Sequence, residues 1–279
     1  MGREHALLLA GRGAAVVVAD VSEPGPVVEE IRARGGTAVG VTGDVASADE
    51  GGAIVGAAVA AFGRVDIVVN NAGILRSHDV VGTTDAVWDE VLGVNLRGSF
   101  VVTRAAWPVM RAQGYGRVVL TTSNSGLLGI PGSSAYAASK AALWGLVRVL
   151  ALEGAELGIS TNAVAPLAFT TMSAQSRAAP PSWRSGEGDE WAARLSPALV
   201  SPVVAWLAHE ACELNGEVLS AAGGRVARFF LGLTPGFVDD ELTVESVRGH
   251  EADILAEDGY EVLASASEEG RRLHRRLMR

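Results

Sequence analysis

The chain has 279 residues and a formal charge of −9, with a pI near 5.1, which excludes nucleic acid as a partner because phosphate binding needs a basic surface. Apolar residues make up 48% and aromatics only 5%, so the core must be aliphatic, as in a parallel sheet covered by helices. A single cysteine, Cys212, excludes an intramolecular disulfide framework and fits a reducing, cytoplasmic compartment.

The opening segment 1–9 reads as a first helix, because its apolar run is too short for a signal peptide and lacks a cleavage site. Gly11 and Gly13 then read as its C-cap and turn. Strands are predicted at 15–19, 37–42, 67–70, 117–121, 160–164 and 217–220, with helices at 26–34, 47–62, 84–113, 134–157 and 202–211. This alternation predicts right-handed βαβ crossovers and a doubly wound parallel α/β sheet, Rossmann-like, in a single domain. No apolar run approaches the length of a bilayer span, so no membrane partner is expected. The five histidines have no metal-ligand spacing, and no metal is assigned.

Two regions depart from the alternation. Residues 167–197 hold Pro180-Pro181, Met172, Trp183, Trp191, Arg177, Arg184 and Arg194 just beyond a strand. Ligands of open α/β sheets bind there, so a substrate lid is expected, with an ordinary surface insertion as the alternative. Residues 225–279 form a C-terminal extension ending in Arg271-Arg272-Leu273-His274-Arg275-Arg276. That run reads as a solvated helix face with no assigned chemistry.

Lys140 is the only lysine and follows Tyr136 by four positions. On a helix such residues share a face, so phenol and ammonium point at one small volume. Such a pair can exchange a proton with a bound hydroxyl or carbonyl oxygen. A phenol has a pKa near 10, and a neighbouring cation such as Lys140 is expected to lower it by about 1–3 units. Ser123, at the end of a predicted strand, is placed to hydrogen-bond the substrate oxygen. Asp20 ends the strand at 15–19, where a carboxylate takes ribose hydroxyls and repels a 2′-phosphate, favouring NAD over NADP. Taken alone, each residue also has an ordinary reading. Ser123 fits a strand-end backbone partner, Asn95 a helix polar residue, Tyr136 a core aromatic and Asp20 a helix N-cap.

Together, Asn70-Asn71-Ala72-Gly73, Asn95, Ser123 and Tyr136-Ala137-Ala138-Ser139-Lys140 resemble the short-chain dehydrogenase/reductase family over 2–224. Longer strings, such as Phe62-Gly63-Arg64-Val65-Asp66 and Leu96-Arg97-Gly98-Ser99-Phe100, resemble the (3R)-hydroxyacyl-CoA dehydrogenase domains of multifunctional β-oxidation enzymes. The resemblance implies an NAD(P)-binding domain over 1–224 and a hydroxy or keto substrate, with a 3-hydroxyacyl-CoA as one candidate. It implies a catalytic set of Asn95, Ser123, Tyr136 and Lys140, with Asn95 holding a water that links Lys140 to solvent. Lys140 would also hold the nicotinamide ribose. Gly2, Asp44, Val45, Asn71, Ala72, Gly73, Pro166 and Thr170 would join Asp20, Tyr136 and Lys140 at the cofactor. Leu167 stands where the family usually has a glycine.

The family opens on a strand followed by Thr-Gly-x-x-x-Gly-x-Gly, of which Gly2 matches the last glycine. The sheet is therefore expected to lack its first strand, leaving a slot between its neighbours. In-frame sequence upstream of Met1 is expected to encode that strand and motif. A homodimer or homotetramer is expected, with Trp107 and Trp144 on its interface helices. The competing reading is a non-catalytic fragment acting as an oligomer partner.

Overall fold

A computed structural model describes residues 1–174 and 190–278, with Trp191 described in its backbone only. The chain divides into two compact units, Met1–Arg228 and Phe229–Arg279. The first unit begins with α1 (Gly2–Gly11), β1 (Ala15–Asp20), α2 (Gly25–Ala33), β2 (Thr37–Thr42), α3 (Ala48–Phe62) and β3 (Ile67–Asn70). It continues through α4 (Asp85–Leu92), a π-helical turn (Gly93–Gly98), α5 (Ser99–Gln113), β4 (Gly116–Thr121), α6 (Ser125–Leu128) and α7 (Ser134–Gly154). Beyond these lie β5 (Ile159–Leu167), α8 (Thr171–Ala174), α9 (Glu190–Arg194), α10 (Ser201–Leu207), β6 (Val218–Ala222) and β7 (Arg225–Phe229).

Local chemistry explains the boundaries. Ser47 caps α3 by accepting from the Glu50 amide, and Gly63 ends it with φ of +75°, a conformation that costs glycine little. α1 runs through Gly11, so its C-cap is Arg12 and not the expected Gly11, while Gly13 turns the chain at φ +93° as expected. Thr84 caps α4. The helix predicted at 84–113 is broken by the π turn. Within that turn Ser99 Oγ donates to the Asn95 carbonyl at 2.9 Å. A Cβ on Gly98 would lie 2.7 Å from Val45, so the absent side chain lets the α3 entry loop press against the turn.

Strands β1 to β6 pair in parallel, but the sheet is interrupted. β1 pairs with β2 alone, while β3 to β7 form a second sheet in chain order. Among the described residues no strand joins β1 to β3, where a slot was expected. Helices span this interruption on both faces. On one, Ala6, Leu7 and Ala10 of α1 bury Val16 and Val18 of β1, and α1 also packs against α10, which covers β4 and β5. On the other, α3 covers β1 and β2, α5 covers β3 and β4, and the two helices pack together.

Three expectations change. β5 runs on through Pro166 and Leu167, which pair with Ala221 and Ala222; leucine favours the extended chain there more than the usual glycine. β7 was not predicted, although Gly223-Gly224, both at positive φ, form a two-residue hairpin turn. The stretch Ser134–Leu157, with mean hydropathy 1.3, is long and apolar enough to cross a membrane, contrary to the reading that no run approaches that length. Its Leu143 and Val147 are fully buried, and it packs on β5 and α6, so its apolarity serves this core.

The second unit holds α11 (Val244–Gly249), α12 (Glu251–Leu255) and α13 (Ala266–Leu277). A bridge between Leu233 and Glu261 ties its chain together. None of its described residues is buried. Within α13, Arg272 pairs with Glu268 at 2.7 Å, and Ser265 caps the helix.

Candidate active site

The carboxyl ends of β3 and β4 meet the first turns of α7 and the π turn. β3 ends at Asn70, whose Nδ2 donates to Thr103 Oγ1 on α5 at 2.9 Å. The chain beyond it, Asn71 to Ile74, runs beside the π turn. There Asn95, fully buried, takes both backbone groups of Ile74: the Ile74 amide donates to Oδ1 at 2.8 Å, and Nδ2 donates to the Ile74 carbonyl at 3.0 Å. Its second amide proton goes to Ser139 Oγ at 3.0 Å. A Cβ on Gly73 would lie 3.0 Å from Asn95 Oδ1 and 3.5 Å from Lys140 Nζ. Gly73, Asn95 and Lys140 therefore share one crowded volume.

β4 delivers Thr121, Thr122 and Ser123, all buried. Lys140 Nζ donates to the Thr121 carbonyl at 2.7 Å, and Thr122 Oγ1 donates to the Lys140 carbonyl at 2.6 Å. Two short hydrogen bonds thus fasten α7 to the end of β4 from both the side chain and the backbone of Lys140. α6 lies directly on α7, since a Cβ on Gly126 would fall 2.6 Å from the Ala141 nitrogen. The start of α7 is held by a bridge from His78 to Ser133 and by a 3.1 Å contact between the hydroxyls of Thr83 and Ser134.

Ser123 has three partners. Its Oγ accepts from the Ser125 amide at 3.1 Å, the structural role open to it from sequence, donates to Asn124 Oδ1 at 3.3 Å, and also hydrogen-bonds Tyr136. Burial raises the Tyr136 pKa, and the Ser123 bond offsets part of that rise. Burial lowers Lys140 to about 8. Sequence reasoning expects Lys140 and the positive nicotinamide ring together to depress Tyr136; in the protein alone burial is the largest influence on the phenol. The ammonium lies 5.7 Å from the Tyr136 ring centroid, and its hydrogen bond goes to Thr121. The dominant influence on both groups is loss of water.

At the same carboxyl end of β3, Gly2 opens α1 against Asn71: a Cβ there would lie 2.9 Å from Asn71 Nδ2. Asn71 Oδ1 is buried without a partner among the described residues, which costs free energy unless a ligand donor reaches it. With Ala72 exposed beside it, this edge suits a dinucleotide. Asp20 is exposed at the end of β1, its Oδ1 accepting from the Ser22 amide at 2.9 Å. It is no N-cap, since α2 begins after Pro24. Asp44 Oδ1 accepts from the Ala46 amide at 2.8 Å, and Val45 fills the space at Gly98. Thr170 Oγ1 accepts from the Ser173 amide at 3.1 Å at the start of α8, just past Pro166.

Other expected residues are not brought to the site. Arg177, Trp183 and Arg184 lie outside the described residues, as does the Trp191 side chain. Arg194 pairs with Glu190 at the surface. Trp107 lies half-buried on α5 and Trp144 is 7% exposed on α7. Sequence reasoning passed over Ser139 and Thr122, although a hydroxyl three positions after Tyr136 on a buried helix face is a usable signal.

A short chain dehydrogenase family profile matches residues 1–181. Peroxisomal multifunctional enzyme type 2 of Drosophila melanogaster is 41% identical over 267 residues, covering 89% of this chain and 42% of that protein. Its full-length structure superimposes with a TM-score of 0.82 at 34% identity, covering 99% of this chain and 47% of that one. A short-chain type dehydrogenase/reductase of Mycobacterium tuberculosis is 41% identical over 274 residues, covering 94% of this chain and 92% of its own length. Hydroxyacyl-CoA dehydrogenase ChsB1 of the same organism is 40% identical over 245 residues, covering 81% and 75%. The chain thus spans less than half of the Drosophila enzyme and nearly all of the first mycobacterial relative.

Proposed function

Because the chain belongs to the short chain dehydrogenase family, and is an oxidoreductase of that family, we propose that it oxidises the hydroxyl of a 3-hydroxyacyl-CoA, or reduces the corresponding ketone, with NAD. The observation that carries this reading is the convergence of Ser123, Tyr136 and Lys140, with Asn95 behind them, at the ends of β3 and β4. The names of the Drosophila and ChsB1 relatives support the substrate class.

NAD, when bound, supplies the hydride acceptor. The chain's own residues hold the reacting groups and move the proton. Tyr136 Oη takes the hydroxyl proton in oxidation and returns it to the ketone oxygen in reduction, a contribution of about 10²–10⁴ in rate. Ser123 hydrogen-bonds both the phenol and the substrate oxygen, restraining their geometry. Lys140, about half protonated near pH 8 and donating to the Thr121 carbonyl, would also hold the nicotinamide ribose. Asn95 spends its amide on Ile74 and Ser139, so a water linking Lys140 to solvent would use the remaining lone pair of Oδ1. Asn71, Ala72, Gly73 and Gly2 would hold the adenosine half and pyrophosphate, with Asp44, Val45, Pro166 and Thr170 completing the cradle. Asp20 selects NAD over NADP by repelling a 2′-phosphate.

The protein is proposed to act as a homodimer or homotetramer, supported by exposed Phe100 on α5 and Val149 and Leu152 on α7. A cytoplasmic setting is supported by the single cysteine. Calorimetric titration with NAD and NADP, followed by a turnover screen of 3-hydroxyacyl-CoAs, steroids and simple secondary alcohols, tests the proposal. Tight NAD binding with turnover confined to the CoA thioesters is expected. Turnover only of steroids or simple alcohols would overturn the substrate assignment.

A further inference from the structure

We propose that Ser139 is a positioning residue, whose hydroxyl links Asn95 to the backbone of Tyr136 and holds the phenol in register with Ser123 and Lys140. The inference rests on the reading of Tyr136 as the proton-transfer residue.

Ser139 is 0% exposed and lies between Tyr136 and Lys140 on α7. Its Oγ donates to the Tyr136 carbonyl at 2.7 Å, the back-bond that a helical serine readily makes. The lone pairs of the same oxygen face Asn95, whose Nδ2 donates to it at 3.0 Å. Asn95 is clamped in turn to both backbone groups of Ile74. A buried chain of hydrogen bonds therefore runs from the loop after β3, through the π turn, to the backbone of Tyr136. The remaining tethers of this turn of α7 act at Lys140, through Thr121 and Thr122. Ser139 is the side chain that reaches the backbone of Tyr136, as Ser123 reaches its phenol.

An alanine at 139 would remove the side-chain bond to the Tyr136 carbonyl, leaving that carbonyl its helical amide partner alone, and would leave one Asn95 amide proton without its acceptor. Displacement of a proton-transfer group by a fraction of an ångström lowers turnover without altering substrate affinity. Ser139→Ala is therefore expected to reduce kcat about tenfold with KM within about twofold. Ser139→Thr, which keeps the hydroxyl, is expected to retain most of kcat.

A second readout does not depend on turnover. Among Tyr115, Tyr136 and Tyr260, ¹³C-labelled tyrosine rings can be followed by NMR, with Tyr136→Phe assigning the signal. Ser139→Ala is expected to displace the Tyr136 ring signal and its titration while leaving those of Tyr115 and Tyr260 in place. A folded Ser139→Ala protein with an unmoved Tyr136 signal would overturn the proposal. If that variant does not fold, Ser139→Cys, which keeps the volume and weakens both bonds, carries the same expectation. Wild-type protein without NAD-linked turnover would sink the functional reading alone, since the ring signals still decide the role of Ser139.

Discussion

Lys140 gives its ammonium hydrogen bond to the carbonyl oxygen of Thr121, at 2.7 Å, and not to Tyr136. A cation held in this way, 4% exposed and paired with no carboxylate among the described residues, is a burden on the fold of the protein alone. Burial lowers its pKa from 10.5 to about 8. The folded state therefore binds fewer protons than the unfolded chain between those values, and stability rises with pH across that window. Below pH 8 the full cost of holding the charge is present. Lys140→Met is expected to stabilise the protein at pH 7 by about 2 kcal/mol after the lost Thr121 hydrogen bond is set against it. The same variant should lose most turnover. Urea midpoints and kcat, measured together, check both halves; a variant less stable than the wild type would contradict the first.

His5 carries a second pH signature. It is buried on α1, its Nδ1 lies 2.8 Å from Ser201 Oγ, and its Nε2 has no partner among the described residues. Loss of water, with a smaller contribution from the Met1 amino group, lowers its pKa from 6.5 to about 4. A neutral folded histidine and a protonated unfolded one make the contribution complete above pH 6.5 and progressively lost as pH falls towards 4. The loss amounts to about 3 kcal/mol. His5→Leu should flatten this acid limb of stability, at a cost of about 1 kcal/mol at pH 7 from the abandoned Ser201 hydroxyl. Urea unfolding between pH 4 and pH 7 reads the difference, and an unchanged limb would refute the assignment.

Gly73 makes room for the site. An alanine there would set its Cβ 3.0 Å from Asn95 Oδ1 and 3.5 Å from Lys140 Nζ. Gly73→Ala is expected to lower kcat/KM about tenfold or more, with a change in Tm of only a few degrees. Wild-type kinetics in this variant would show that the volume is not needed.

Asp20 stands exposed at the end of β1. Asp20→Ser removes the carboxylate that opposes a 2′-phosphate, so the NAD to NADP preference should fall by about tenfold or more. Paired kcat/KM values with the two cofactors test this, and an unaltered ratio would locate the selection elsewhere.

Much of this arrangement is legible in the sequence because it depends on local pattern. The strands at 37–42 and 67–70 fall where predicted because β-branched runs bounded by turn residues leave little alternative. Tyr136 and Lys140 share a helix face because spacing fixes it. The π turn is not legible in periodicity, which sees one amphipathic stretch over 84–113; it arises from Ser99 bonding the Asn95 carbonyl and from the close approach at Gly98. The Tyr136 and Lys140 pKa values also escape sequence reasoning, since proximity in spacing suggests mutual stabilisation while burial of both groups dominates. Leu167 prolongs β5 because its partner Ala222 lies far along the chain, a relationship no local window contains.

The central claim is that Tyr136 transfers the proton at an NAD-linked hydroxyacyl site. Its most direct test is steady-state formation of NADH from a 3-hydroxyacyl-CoA by the wild-type chain and by Tyr136→Phe. The account predicts turnover by the wild type and a loss of at least about 10² in kcat for Tyr136→Phe, with NAD affinity nearly unchanged. Undiminished turnover in Tyr136→Phe, or none in the wild type, would contradict it.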